Sequence, residues 1–306
     1  MEPECDLYSN AQKSCFLRLL SHSPMFLAAQ SKNVHLTWSY TKVGIPAFDV
    51  PEMSEFLVII SLAIIAIIAV LFIEFRFLLY PFSSNLNPLT SAKQYELTGN
   101  TLFISDLHLR ATAPFQFTQE LRSCVNEEEI ANLVIDGDLF DSPEDAERIL
   151  GTESNGQLEY LGLRNIQLNT YWILGSAPHD PRNPNTHLHV LGNCAIFTCK
   201  GLSIIAYHGH DMSMKGGIAH AIDRFVSPLL MEKLWKRFAH VKVDSWVVFG
   251  HSHIPGLDTK ARVANCGAWA TYRLVHPTGT GVVLKASSQT LCLITITSYG
   301  SSTRDL

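Results

Sequence analysis

The chain is predicted to be an α/β protein, a sheet core covered by helices, on two observations. Strands read near 101–105, 132–136, 170–174, 187–191, 202–207 and 245–249 alternate with helical stretches, clearest at 116–130 and 143–150. Apolar runs also end, again and again, in Asp or His. Strand ends of an open α/β sheet converge on one crevice, which is where such sheets place ligands.

Each run supports this in turn. Thr101-Leu-Phe-Ile-Ser-Asp-Leu-His-Leu-Arg110 carries Asp106 and His108 two positions apart, on the same side of an extended segment, where both can meet one metal ion. Ala131-Asn-Leu-Val-Ile-Asp-Gly-Asp-Leu-Phe-Asp141 ends in Asp136, Asp138 and Asp141. Tyr171 to Leu174 runs into Gly175-Ser-Ala-Pro-His-Asp180, Leu202 to Tyr207 into His208-Gly-His-Asp211, and Trp246 to Phe249 into Gly250-His-Ser-His253. Carboxylates and imidazoles without a cysteine suit Mn, Fe or Zn rather than Ca or a thiolate cluster. Between the runs, helix 116–130 ends in Glu127-Glu-Glu129, and helix 143–150 opens on Ser142-Pro143, an N-cap followed by the first helical residue. Alternating patterns at 281–284 and 290–297 read as closing strands.

With 306 residues, 47% hydrophobic and 17% charged, the chain can bury one full catalytic core and still carry an appendage. A net charge of −5 argues against a partner that is a nucleic-acid polymer bound through a general basic field. The seven cysteines form no C-x-x-C pair and leave one over, so reduced, buried thiols are expected instead of a disulfide framework.

Residues 1–54 show no sustained period and read as a poorly ordered extension. Residues 56–73 hold no charge and one hydroxyl, long enough to cross a hydrocarbon core, and with the interfacial Phe75, Phe77 and Tyr80 they read as a single transmembrane helix within an anchor at 55–80. The run starts too deep in the chain and is too long for a cleaved signal peptide. Met53-Ser-Glu-Phe makes a natural start directly before it, which leaves residues 1–52 open as a start-site artefact. Arg76 tilts the positive-inside rule toward a cytoplasmic catalytic domain. Residues 81–95 read as a linker and 96–306 as the catalytic domain, held near a membrane. In the insertion 212–244, Leu230, Leu234 and Phe238 follow helix spacing, beside Met231 and Trp235, with Lys233, Lys236 and Arg237 on another face. This is a helix packed on the domain, with a lid or lipid-facing helix as the alternative.

In order, D-x-H, G-D-x-x-D, a G-N-H-D-like element, H-G-H and G-H-x-H resemble the calcineurin-like metallophosphoesterases over roughly residues 96–300. The segments Phe103 to Leu109 and Gly137 to Asp141 resemble the branch containing UDP-2,3-diacylglucosamine hydrolase. The resemblance implies a four-layered α-β-β-α sandwich, with 281–284 and 290–297 fitting its second sheet, and two divalent metal ions, Mn before Fe or Zn. It implies Asp106, His108 and His253 on one metal, Asp138 bridging, and His208 and His251 on the other. It also implies His179 and Asp180 as catalytic residues: His179 stabilises the transition state and protonates the leaving group, helped by Asp180, which follows directly and could orient the imidazole. Asp141, Ser176, His210 and Asn265 fall around these as supporting or substrate-contacting residues. The implied activity is hydrolysis of a phosphodiester, phosphomonoester or pyrophosphate bond through a metal-bound hydroxide. The substrate would be a small phosphorylated or nucleotide-linked, even lipidic, molecule.

The chain departs from this pattern at Pro178, where the family has the Asn that ligates the second metal. Ser176, a backbone carbonyl, a water or His179 itself could substitute. The branch has Arg in place of His179, so its substrate does not carry over. The alternative to an enzyme is a degenerate member that keeps the fold as a binding or scaffold module.

Overall fold

Residues 102–104 and 133–135 are apolar without interruption, as strands covered on both faces must be. In the computed structural model, which describes residues 58, 60–62, 64–65, 88–152, 156–210, 222–270 and 278–298, they pair at the centre of one of two sheets. The strands in chain order are β1 (Lys93–Glu96), β2 (Asn100–Ile104), β3 (Ile130–Asp136), β4 (Asn169–Ile173), β5 (His189–Val190), β6 (Cys194–Cys199), β7 (Leu202–Tyr207), β8 (Trp246–Phe249), β9 (Gly256–Asp258), β10 (Val263–Asn265), β11 (Thr280–Lys285) and β12 (Thr290–Thr295). The helices are α1 (Thr118–Glu127), α2 (Pro143–Thr152), α3 (Gly156–Tyr160) and α4 (Leu230–Phe238). These elements belong to the compact unit Ile64–Leu306; of the other unit, Met1–Ala63, the described residues 58 and 60–62 are helical.

Both sheets have six strands, ordered β12-β11-β2-β3-β4-β5 and β1-β6-β7-β8-β10-β9. Strands β2, β3 and β4 run parallel in the first, and β7, β8 and β10 run parallel in the second. Because successive side chains leave opposite faces of a strand, the core sorts into three clusters. Leu102, Ile104, Leu133 and Ile135 pack outward against Leu121 of α1 and Ile149 of α2. Phe103, Val134 and Ile173 meet Phe197, Ile204 and Val248 of the second sheet. Ile205, Tyr207, Val247 and Phe249 face Trp235 of α4, whose ring stacks on Tyr207 with centroids 4.6 Å apart. The order is therefore α-β-β-α. The start of α2 follows its sequence signal: the Ser142 hydroxyl accepts from the Asp145 N–H at 3.1 Å, ahead of Pro143, whose missing N–H costs nothing there.

Four expectations are corrected. Strands β11 and β12 extend the sheet of β2, with Val282 opposite Phe103, and are not in the second sheet. They fit because β11 is buried on both faces and closes the open edge of β2. The buried face of α4 is Met231, Glu232, Trp235 and Lys236, one residue round from the apolar row. Phe238 is left exposed, because the core supplies partners for Glu232 and Lys236. The first strand takes in the end of the 81–95 linker, as Lys93–Glu96 pairs with β6. The transmembrane helix and the membrane localisation, with its cytoplasmic domain, are overturned. A crossing needs about 20 consecutive apolar helical residues, and among the described residues no helix is long and apolar enough. Of the run 56–73 only 58, 60–62 and 64–65 are described, and the extension 1–54 lies outside the described residues. Five cysteines, Cys124, Cys194, Cys199, Cys266 and Cys292, are described, all as free thiols.

Candidate metal centre

The parallel strands of both sheets end at one place, and the residues just past them converge there. Asp106 and His108 follow β2, Asp138 follows β3, His208 follows β7, and His251 and His253 follow β8. They form two groups, Asp106, His108 and His253 in one and Asp138, His208 and His251 in the other, with ligand atoms within 4.8 Å of one another in each. Each group draws on both sheets. Five of the six residues have left-handed backbones: Asp106 (φ 54°), His108 (45°), Asp138 (47°), His251 (62°) and His253 (59°). Such conformations cost non-glycine residues roughly 1–3 kcal/mol each and persist where the surroundings force them.

Glycines make the close approach of these turns feasible. A Cβ on Gly175 would lie 2.3 Å from the Asp138 N and Oδ1 atoms, and one on Gly250 would lie 1.8 Å from Ser105 Oγ. The turns are also tied to each other. The His251 N–H donates to Asp106 Oδ2 at 2.9 Å, and His253 Nε2 lies 3.0 Å from Asp106 Oδ1. His208 Nδ1 sits 2.7 Å from the Asp136 carbonyl. A carbonyl only accepts, so Nδ1 carries the proton and Nε2 is left to face Asp138 Oδ2 at 3.3 Å.

Burial and mutual charge set the protonation of these groups. Burial raises the Asp106 and Asp138 carboxyls, but the neighbouring imidazoles outweigh it and hold both below the usual range. Burial lowers His208, and Asp138 with Asp106 overcomes that, holding it well above a free histidine. Burial, in His251 reinforced by His208, brings His108 and His251 each down to about 4, so both are neutral with a lone pair to offer. His251 Nε2 is buried without a hydrogen-bond partner. Two carboxylates, four imidazoles, a tautomer fixed at His208 and this orphaned nitrogen fit two divalent cations.

The remaining predicted residues surround this set. His179 stands edge-on to His108, centroids 4.6 Å apart, and its Nδ1 lies 2.9 Å from the Asp141 carbonyl. The orienting task expected of Asp180 thus falls to that carbonyl. The Asp180 carboxylate instead accepts from the backbone N–H groups of Leu139 (2.9 Å) and Gly175 (2.7 Å), clamping the loop after β3 to the loop after β4. Burial and Asp138 push it up to about 7. Asp141 Oδ1 lies 3.9 Å from His108 Nδ1, and its Oδ2 accepts from Arg110 Nε at 3.0 Å. Ser176 donates to Asp138 Oδ1 through its N–H (2.7 Å) and hydroxyl (2.9 Å). Pro178 sits in a turn in which the Ser176 carbonyl accepts from the N–H groups of His179 and Asp180, each at 2.9 Å. His210 lies beside the His208 ring, 5.9 Å between centroids, in neither group.

Asn265 works from beneath. Its Nδ2 donates to the Gly250 carbonyl (2.8 Å) and to Glu232 Oε1 (2.9 Å), which also accepts from Ser252 Oγ (3.1 Å). Glu232 is fully buried, and burial with the facing Asp223 pushes it up to about 8. Arg110, Asp223 and Glu232 escape a sequence reading. Their partners are 31, 8 and 33 positions away or lie behind an apolar-looking helix, and no motif marks them.

No protein-family model matches the chain, and no curated protein matches it. Among solved structures it is similar to the E. coli phosphoesterase Yfce, at 14% identity and a TM-score of 0.37 over 64% of this chain and 99% of that one. It is similar to an archaeal phosphodiesterase at 13% identity and a TM-score of 0.36, over 64% and 98%. Zinc-complexed Vps29 from Entamoeba histolytica gives 16% identity and a TM-score of 0.39, over 63% and 88%. These likenesses are distant, and the function below rests on this chain's own residues.

Proposed function

We propose that the chain is a phosphoric ester hydrolase with a dinuclear metal centre, acting on a small phosphodiester, phosphomonoester or pyrophosphate. The observation that carries this is the pair of three-residue groups, each drawn from both sheets, with five of the six residues on left-handed backbones. Asp106, His108 and His253 would hold one cation and Asp138, His208 and His251 the other. Mn, Fe and Zn all suit these donors. Bound there, such cations supply Lewis acidity, polarising phosphoryl oxygens and making hydroxide available near neutral pH.

The chain's own groups do the rest. Ser176 fixes the Asp138 carboxylate with two donors to Oδ1, which keeps Oδ2 turned toward His208. His179, with Nδ1 donating to the Asp141 carbonyl, would give a proton to the leaving oxygen from Nε2 in its imidazolium form, in which both ring nitrogens carry protons, and be left as the neutral Nδ1–H tautomer. Pro178 supplies no ligand, and this favours the second reading, a binding module whose Asp138 group holds metal weakly.

The deciding experiment is a screen of the metal-reconstituted protein on p-nitrophenyl phosphate, bis-p-nitrophenyl phosphate, cyclic nucleotides and diphosphate-linked nucleotides. Metal-dependent turnover that falls at least a hundredfold in Asp138→Asn is expected; metal binding without turnover of any ester selects the binding module. For His179→Ala, loss of an acid slows alkoxide leaving groups by about 10²–10⁴ and hardly touches p-nitrophenolate. Equal losses on both, with one metal missing, would make His179 a ligand.

A further inference from the structure

A cleft of about 650 Å³ is lined, among the described residues, by the loop 111–115, Thr118, Gly156, Glu159 and Tyr160. It begins three residues after His108. Its near wall is pinned: the Ala111 N–H donates to Asp145 Oδ1 at 2.8 Å, and the Tyr160 hydroxyl donates to the Ala111 carbonyl at 3.3 Å. Its floor is firm, since Phe115 packs against Trp269 with centroids 5.6 Å apart. Glu159, the one charged residue of the lining, is paired with Arg164 at 3.0 Å. The cleft therefore suits an uncharged group with apolar faces.

Arg110 lies in the chain between His108 of the metal centre and Ala111, the first residue of the cleft lining. Its place is set by Asp141, which holds Nε at 3.0 Å with one oxygen and lies 3.9 Å from His108 Nδ1 with the other. Surface ion pairs of this kind contribute little to stability. Yet a bond through Nε alone leaves the two terminal nitrogens of a planar fork, on a side chain 55% exposed, near a site whose other charged groups, among the described residues, are carboxylates and imidazoles.

Building on the phosphoesterase reading, we infer that Arg110 binds a second anionic group of the substrate, outside the reacting phosphoryl, while the cleft takes the uncharged part that carries it. Arg110 is then a specificity residue that separates doubly anionic esters from simple ones.

The test uses the metal-loaded full chain and three esters sharing p-nitrophenolate as leaving group: p-nitrophenyl phosphate, thymidine 5′-(p-nitrophenyl phosphate), and the latter with an added 3′-phosphate. In the wild type, kcat/KM for the 3′-phosphorylated ester exceeds that of its partner by about tenfold or more, chiefly through KM. Arg110→Gln collapses that ratio and Arg110→Lys restores part of it. Ala113→Trp, which fills the cleft, lowers both nucleoside esters relative to p-nitrophenyl phosphate. If the ratio survives in Arg110→Gln, or never exceeds one, the inference is overturned while the hydrolase reading stands. If none of the three esters is turned over, the inference is overturned, and the hydrolase reading stands or falls on the wider screen of esters and diphosphates.

Discussion

Two buried carboxyls brace the two halves of the site, and they do so in different ways. Asp180, on the side of β3 and β4, uses both oxygens on backbone N–H groups, one on Leu139 and one on Gly175. Glu232, on the side of β8 and β10, uses one oxygen on two side chains, Ser252 and Asn265, and turns its carboxyl toward Asp223. Backbone donors cannot rotate away, so the first brace fixes where Asp138 and His179 stand. Side-chain donors can repack, so the second fixes the turn of His251 and His253 with more tolerance. The half that supplies the Asp138 carboxylate is the stiffer one.

Joining the halves should outweigh either brace. Since both ligand groups cross from one sheet to the other, cations would hold the two halves together directly. Binding at a hundred times the dissociation constant stabilises by about 2.7 kcal/mol per site, and about 1 kcal/mol moves the melting temperature of a domain this size by about 2–4 °C. Melting of the Mn-loaded protein is expected at least 10 °C above the chelated protein. A shift under about 2 °C would mean that the strand ends do not share cations.

Asp180→Asn should be the next largest effect. An amide offers one oxygen in place of two, so one backbone N–H loses its acceptor and faces an NH₂ group instead. Leaving a buried donor unpaired costs about 1–3 kcal/mol, and the loop holding Asp138 shifts with it. The expected result is a melting temperature several degrees lower in the chelated protein, together with weaker metal binding measured by calorimetry. Unchanged metal affinity would show that the clamp is structural alone.

This difference between the halves also explains what was legible in the sequence. Asp106, His108, Asp138, His208, His251 and His253 could be read because each follows an apolar strand directly, and strand ends meet in an α/β fold. The α-β-β-α layering was implied by the same motifs. The braces could not be read in the same way. Asp180 looked like a partner for the adjacent His179, yet its acceptors are needed by backbone amides brought near only by the β3 and β4 pairing. Glu232 and Lys236 sit in an amphipathic helix where the period suggests a solvent face. Their burial depends on partners such as Asn265 and the Ala261 carbonyl, 33 and 25 positions away. The apolar run at 56–73 met a length criterion that the described helices do not.

The smallest expected effect is the most specific to the second brace. Both donors to Glu232 reach the same oxygen, Oε1, so Glu232→Gln keeps that acceptor and sets an amide NH₂ before Asp223. Near pH 6 the change should cost less than about 1 kcal/mol, well under the Asp180→Asn loss. Its signature is the pH dependence. Glu232 is raised to about 8 in the folded chain from an ordinary 4.5, by burial first and then by Asp223. Between those values the unfolded chain has released the proton and the folded chain has not, so the unfolded state binds fewer protons. Stability contributed by this group is complete below about pH 4.5 and is lost as pH rises through about 8. Glutamine does not ionise, so the variant's stability should fall less steeply over that window in the chelated protein. The slope that remains comes from Asp136 and Asp180, raised to about 8 and about 7, with His208 and His253, both raised, acting in the same direction and His108 and His251, lowered to about 4, acting against them below about pH 6.5. Wild type should be the equal or the more stable of the two at pH 5, and the variant the more stable at pH 9, where wild type must hold an ionised Glu232 against Asp223. Parallel stability curves across that range would show that Glu232 does not carry its proton in the folded chain.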